Sequence, residues 1–418
     1  MEILNKFIFW STLLLFSIVS LVPFFAMSHI KIMGLPIHYL IVGGSVSILA
    51  ILTLYNHRGK LTLFDKWLLV LMLGFSLSMI VSVDKVNTMK SIVSFFLRGI
   101  GVAFIVNKFV ISDRRNNQVV MGLLSVASVV CLIGLVEFFT GRIPFFHKFY
   151  LGIRGYPIGF NIRSGMMSTI GHPLSLSAYL VLLVPMAVWF LQKDQREKSF
   201  FKLIPLLLIL MTILLSFSRS SWIITCCILF VCFFDKRTRH TILTQWKLIL
   251  ISVTVVIMLI YFLPRLRNAF IDRFNFQRVK VEILDSHRSA SYKTTWNILK
   301  EYPLFGVGMG NFTEIYEYYK AKGSNWSISS PDNMYLRFIC ETGIAGTLTF
   351  FCFIFYWLYQ LWKKRNDDFI WAIFVGLIGF LVNQMAGDFF YWLAPQFLFW
   401  FMLGLGVASL NEVKGKNG

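Results

Sequence analysis

Apolar residues in this chain come in long blocks separated by short polar stretches. A helix needs about 20 apolar residues to cross about 30 Å of hydrocarbon. Blocks of that kind can be drawn at residues 7–26, 36–55, 67–83, 91–111, 119–139, 174–192, 200–218, 222–234, 246–264, 336–362, 369–387 and 389–410. The pattern predicts an all-α polytopic integral membrane protein of about 12 transmembrane helices. The eighth block is short and the last two are nearly fused, so the expected range is about 11 to 13. The first block exceeds a signal-peptide core and no small-x-small cleavage site follows it, so it reads as a helix. Three regions result: membrane helices one to nine in 1–264, a large loop at 265–333, and membrane helices ten to twelve in 334–418.

Composition removes the soluble alternative. With 57% apolar residues, 14% charged residues and a mean hydropathy of +0.69, the chain cannot cover itself with a polar surface. The net charge of +20 is largely topology signal and calls for no nucleic-acid partner. Loops on the side of the N-terminus carry twenty Lys and Arg, against eight in the short loops opposite, which predicts that both termini are cytoplasmic. The long stretches at 140–173 and 265–333 then face outward. All six cysteines fall inside predicted spans, where a small buried apolar side chain is the default reading. No His or carboxylate cluster has metal-ligand spacing, so neither a metal nor a cofactor is expected.

Two stretches of the outer side carry unusual polarity. In "SSPDNMYLRFICETGIAGTLTFF", residues 329–351, a membrane helix begins with Asp332, Asn333, Arg337 and Glu341, followed by Gly343 and Gly346. Ser330 as N-cap, Pro331 at the first helical position and Asp332 in the first turn form a helix start. Arg337 and Glu341 stand four apart and pair on one face; the two glycines permit close helix packing. In "DSHRSASYKTTWNILKEYPLFGVGMGNF", residues 285–312, Tyr292, Trp296 and Leu299 have helical spacing, as in a helix lying along the membrane surface. Gly306, Gly308 and Gly310 follow a helix and a proline, so they are no dinucleotide fingerprint. They predict a tight turn that brings backbone close to the membrane or to a ligand.

These motifs in order, "SFSRSSW", then R-x3-Y-x3-W-x6-P-x2-G-x-G-x-G-N-F, then DN-x9-G-x2-G, resemble the O-antigen ligase and O-antigen polymerase family of bacterial membrane enzymes. The resemblance covers about residues 219–347 and implies a GT-C-like fold. It further implies transfer of a glycan from a polyprenyl-pyrophosphate carrier, undecaprenyl pyrophosphate in bacteria, at the outer face of the cytoplasmic membrane. Its implied partners are that donor, a lipid-linked or other glycan acceptor, membrane lipid, and a chain-length regulator or flippase. The family's last motif usually begins with His; here Asp332 takes that place, with the spacing to Gly343 and Gly346 intact.

The chemistry can be argued beside the resemblance. Displacing pyrophosphate from an anomeric carbon leaves negative charge on the departing oxygens, which arginine meets with a planar, permanently charged fork. Arg219 and Arg288 match the family's arginine positions, and one well-placed donor of this kind contributes about 3 to 4 kcal/mol to a transition state. Arg98, about a third of the way into the fourth span, and Arg163, where the outer loop enters the sixth, are further candidates for pyrophosphate binding. The bland alternative for each is an arginine snorkelling at a helix end. Asp332 completes the candidate catalytic set with Arg288 and Arg219. A helix N-terminus makes a carboxylate a weak base, so Asp332 is expected to orient the acceptor hydroxyl. His172 and His287 are the candidates for a substitute base.

The expected function is therefore an inverting, metal-independent glycosyltransferase that polymerises lipid-linked repeat units of a cell-surface polysaccharide. A ligase that transfers finished glycan to another lipid or a protein carries the same motifs. A secondary transporter or flippase for lipid-linked glycan would also have about twelve helices and basic cavity residues, but transporters usually show internal repeats and broken helices at the midplane.

Overall fold

The computed structural model describes residues 2–23, 31–32, 35–37, 39–109, 112–141, 165–193, 200–234, 254, 258, 261–274, 287–320 and 330–416. Among these the regular structure is helical apart from one antiparallel pair, β1 (Lys31–Ile32) with β2 (Leu35–Pro36). The helices are α1 (Glu2–Leu21), α2 (Gly44–Asn56), α3 (Leu63–Ser76), α4 (Lys85–Phe95), α5 (Gly101–Val106), α6 (Asp113–Thr140), α7 (Pro173–Val181) and α8 (Val184–Gln192). They continue with α9 (Leu203–Leu215), α10 (Arg219–Phe233), α11 (Pro264–Phe274), α12 (His287–Glu301), α13 (Phe312–Tyr319), α14 (Met334–Lys363), α15 (Asp368–Asn383) and α16 (Leu393–Lys416).

Seven of the described helical stretches are long and apolar enough to cross a membrane: Glu2–Leu21, Lys85–Val106, Asp113–Thr140, Pro173–Gln192, Met334–Lys363, Asp368–Ala386 and Leu393–Asn411. Leu40–Asn56, Leu203–Leu215 and Arg219–Phe233 are apolar but shorter. The block at 67–83 forms α3 and a 3-10 turn, Leu77–Met79. The block at 246–264 lies almost wholly outside the described residues.

Several blocks that read as single helices are interrupted, each for a local reason. Pro185 has no amide hydrogen and its ring crowds the preceding turn, so α7 and α8 are separate. Between α4 and α5 the backbone opens into a π turn, Phe96–Ile100, which holds Arg98. Gly343 has φ +64° and breaks α14. The carbonyls freed at that break do not face lipid. Val307 N donates to Cys340 O at 2.9 Å and Gly308 N to Glu341 O at 3.0 Å. In return Ile344 N donates to Pro303 O at 2.9 Å and Ala345 N to Leu304 O at 3.1 Å. The loop after α12 thus splices the broken helix, as hydrocarbon requires of any non-helical backbone.

That splice gives the glycine-rich turn a packing role within the protein. Gly306, Gly308 and Gly310 all have positive φ, as a tight turn requires, and their backbone packs closely on protein. A Cβ at Gly306 would lie 2.5 Å from the Cys340 carbonyl oxygen. The buried Asn311 clamps the same loop to the start of α4: its amide donates to Ser82 Oγ at 3.1 Å and Thr88 Oγ1 at 3.0 Å. Asn87 Nδ2 in turn donates to Asn311 Oδ1 at 2.8 Å. Ile298, Val307, Phe312, Ile315 and Tyr316 close a small core over Cys340 of α14.

Beneath this junction lies an aromatic layer. Phe75 of α3, Phe95 of α4 and Phe338 of α14 meet edge to face at 5.5 to 6.0 Å, and Phe390 and Trp400 extend the layer toward α16. At the opposite end of α14 the chain is tied by a buried ion pair, Lys108 Nζ to Asp65 Oδ2 at 2.5 Å. Asp65 also completes a capping box with Thr62 at the start of α3.

Candidate functional site

The entrance to α14 differs from the expected helix start. Asn333, not Ser330, is the N-cap; its Oδ1 accepts from Tyr335 N at 3.0 Å and Leu336 N at 3.3 Å. Asp332 is therefore outside the helix, and its φ of +49° lies in the left-handed region, where a non-glycine side chain is strained. Its amide donates to Ser330 Oγ at 3.2 Å. Ser330 Oγ in turn donates to Asp388 Oδ2 at 2.7 Å. The serine is thus a link between loop and bundle, not a cap.

Asp388, half-buried, belongs to a charge network built around the buried Glu341. Arg337 NH1 donates to the same Asp388 oxygen, and Arg337 Nε donates to Glu341 Oε1 at 3.0 Å. The pairing of Arg337 with Glu341 expected from their spacing is present. Tyr391 OH donates to Glu341 Oε2 at 2.6 Å, and its ring lies under the Arg337 guanidinium, 3.5 Å from centroid to Cζ. Glu341 is wholly buried. Removing Arg337 would strand two carboxylates there, a loss of about 3 to 5 kcal/mol for a broken buried pair.

His172 comes to the same place from another element. It is the N-cap residue of α7, and its ring lies 5.4 Å from that of Trp392, one residue after Tyr391. Its Nδ1 is buried with no hydrogen-bond partner among the described residues. Burial holds the imidazole below its ordinary pKa, against the pull of the Asp332 and Asp388 carboxylates. A segment at 165–171 delivers it, and Glu137 in the last turn of α6 anchors that segment. Glu137 Oε2 accepts from Met167 N at 3.2 Å and Ser168 N at 2.5 Å.

Arg219 opens α10 at a sharp corner, where Phe217 has φ +54° and Ser218 caps the helix. One turn into α10, Ser221 Oγ donates to Ser177 Oγ of α7 at 2.8 Å and accepts from Asn383 Nδ2 of α15 at 3.0 Å. Those bonds tie the Arg219 corner to the helix that starts at His172 and to the one that ends just before Asp388. Arg288 lies at the second position of α12, about two turns from Thr295, whose carbonyl accepts from Cys340 Sγ at 3.6 Å. Arg98 is half-buried in its π turn, with Nε donating to Ser94 O at 3.2 Å. Arg163 lies outside the described residues. His287 is the first residue of α12.

The arrangement therefore brings Asp332, His172 and the Arg219 corner to one end of the bundle, while α12, which has Arg288 in its first turn, packs through Thr295 on Cys340 of α14. Asp388, Tyr391 and the linking role of Ser330 were not legible beforehand. The available signal was Asp388 itself, a lone acid between two apolar blocks. Among the described residues no group of three or more His, Cys, Asp or Glu is placed to hold a metal ion.

Fold and site together define a polytopic helical membrane protein with cationic, acidic and aromatic side chains gathered at one end of its bundle. Residues 204–351 match the family model described as O-Antigen ligase, consistent with the O-antigen ligase and polymerase family. The matched segment runs from α9 to the middle of α14 and includes Arg219, Arg288, Asp332, Gly343 and Gly346. No curated protein matches the chain.

Proposed function

We propose that the protein transfers a glycan from a polyprenyl-pyrophosphate carrier to a sugar hydroxyl at the outer face of the bacterial cytoplasmic membrane, polymerising lipid-linked repeat units. The observation that carries the reading is the family match over residues 204–351, which includes Arg219, Arg288 and Asp332, together with the hydrogen bonds that join the glycine-rich loop to the half of α14 beginning just after Asp332. The charges divide by task. Arg219 and Arg288, with Arg163 and Arg98 as further cations, meet the pyrophosphate and neutralise the oxygens as the anomeric bond breaks. Asp332 accepts a hydrogen bond from the acceptor hydroxyl and aims it at the anomeric carbon from the face opposite the leaving group, so the transfer inverts. The new carbon–oxygen bond forms as the bond to the pyrophosphate oxygen breaks, and the hydroxyl proton leaves late, to water. The pyrophosphate, a good leaving group, departs without a strong base or a metal ion. The outward side rests on the excess of Lys and Arg in the loops of the other end.

The family description favours a second reading, in which the finished glycan passes to a different lipid or a protein. One experiment separates the two. Purified protein in lipid is given a polyprenyl-pyrophosphate-linked repeat unit, alone or with a candidate second acceptor. A ladder of lengths from the donor alone supports polymerisation. A single addition that needs the second acceptor supports ligation, and no transfer under either condition sinks both.

A further inference from the structure

We propose that Asp388 and Ser330 are positioning residues for this transfer: together they hold Asp332 in its left-handed conformation and so aim its carboxylate. The inference rests on the glycan-transfer reading. Its geometric basis is a continuous chain of hydrogen bonds in which the two carboxylates accept from both sides. Tyr391 OH donates to Glu341, Arg337 joins Glu341 to Asp388, Ser330 Oγ donates to Asp388, and Asp332 N–H donates to Ser330 Oγ. A hydroxyl has one proton. Because Asp388 takes the Ser330 proton, a Ser330 lone pair is turned toward the Asp332 amide. The bond of 3.2 Å that results spans only two residues and fixes the backbone where φ is +49°.

A left-handed aspartate persists only where its surroundings over-determine it. Here they do so from three directions. Asn333 anchors the chain just after Asp332 through its cap, and Met334 N donates to Gly387 O at 3.2 Å, one residue before Asp388. Ser330 supplies the third anchor, through a contact spanning 58 residues of sequence. Asp388 cannot drift, because Arg337 is itself held by the wholly buried Glu341 and by the face of Tyr391. The network thus converts buried charge in the bundle into a fixed direction for one side chain at its rim.

The test uses the full-length protein in lipid at matched abundance. Ser330→Ala and Asp388→Asn should each lower kcat about tenfold, the scale of one lost hydrogen bond to a charged network, with KM for the pyrophosphate donor unchanged. Ser330→Thr, which keeps the hydroxyl, should restore the rate. In an Asp332→Asn background the Ser330→Ala change should cost nothing more, since the side chain it aims is already disabled. Full additivity of the two losses, or a Ser330→Ala enzyme with normal kcat, overturns the proposal. If the parent protein transfers no glycan, the relay is read without substrate, from the rate at which an aqueous thiol reagent modifies Asp332→Cys. Ser330→Ala should change that rate severalfold and Ser330→Thr should not; equal rates in all three overturn the relay independently of the transfer reading.

Discussion

Gly343 and Leu304 meet backbone to backbone, so closely that a Cβ on Gly343 would overlap the Leu304 carbonyl. This contact joins the loop after α12 to the helix that carries Arg337 and Glu341. The glycine is needed twice, for its φ of +64° and for the absence of a side chain.

Gly343→Ala should therefore cost about 3 kcal/mol or more, combining left-handed strain with a backbone clash. Gly59→Ala is the control: φ there is +69°, yet nothing lies within 4 Å of the added Cβ, so only about 1 kcal/mol is expected. Thermal unfolding in one detergent measures both. Equal losses would show that the loop does not depend on close approach at Gly343.

Asp332 separates a structural from a chemical role. The cap belongs to Asn333, so Asp332→Asn leaves the helix start intact. Its loss of charge should lower transfer by about 100-fold if the carboxylate holds the acceptor hydroxyl. Asp332→His, which installs the usual family residue, should retain part of the activity. Normal ladders from both the Asn and Ala variants would remove Asp332 from the site.

Arg288→Lys and Arg219→Lys keep a positive charge but lose the planar fork. Each should reduce turnover by at least about tenfold, on the scale of one well-placed donor in a transition state, while the protein still inserts. Near-parental product from Arg288→Ala would exclude that residue from pyrophosphate binding.

Sidedness is open to direct labelling. Tyr318 is 86% exposed on α13, and Arg365 is exposed just after α14. A cysteine at Tyr318 should react with an impermeant thiol reagent on intact cells, and one at Arg365 only after permeabilisation. The reverse pattern would invert the topology and move the site to the cytoplasm.

At the other end of the bundle, Asp65→Asn would leave Lys108 charged and buried, with 7% of its side chain exposed. The expected loss is about 3 to 5 kcal/mol. Adding Lys108→Met should recover most of it, because the stranded charge is gone. A double variant no more stable than Asp65→Asn would show that the pair is not what holds α3 in place.

Much of this molecule is decided by properties that read along the chain. Hydrocarbon demands apolar blocks of helical length, so the blocks at 119–139 and 369–387 appear as α6 and α15. Side chains four apart on a helix face each other, so the Arg337–Glu341 pair could be read from spacing. Local rules failed where a distant partner won. Ser330 looked like a cap but gives its hydroxyl to Asp388, and Asn333 takes the helix start. The glycines at 306 and 308 read as a tight turn, and only the fold shows that this turn receives the broken backbone of α14. Nothing near Asp332 in the sequence announces a left-handed backbone, because that conformation depends on groups nearly 60 residues away. The apolar pattern and the motif spacing determined the class of protein and the stretch that carries its chemistry. The tertiary structure alone decided the direction of those side chains, since buried charges and freed backbone groups must find partners wherever the fold brings them.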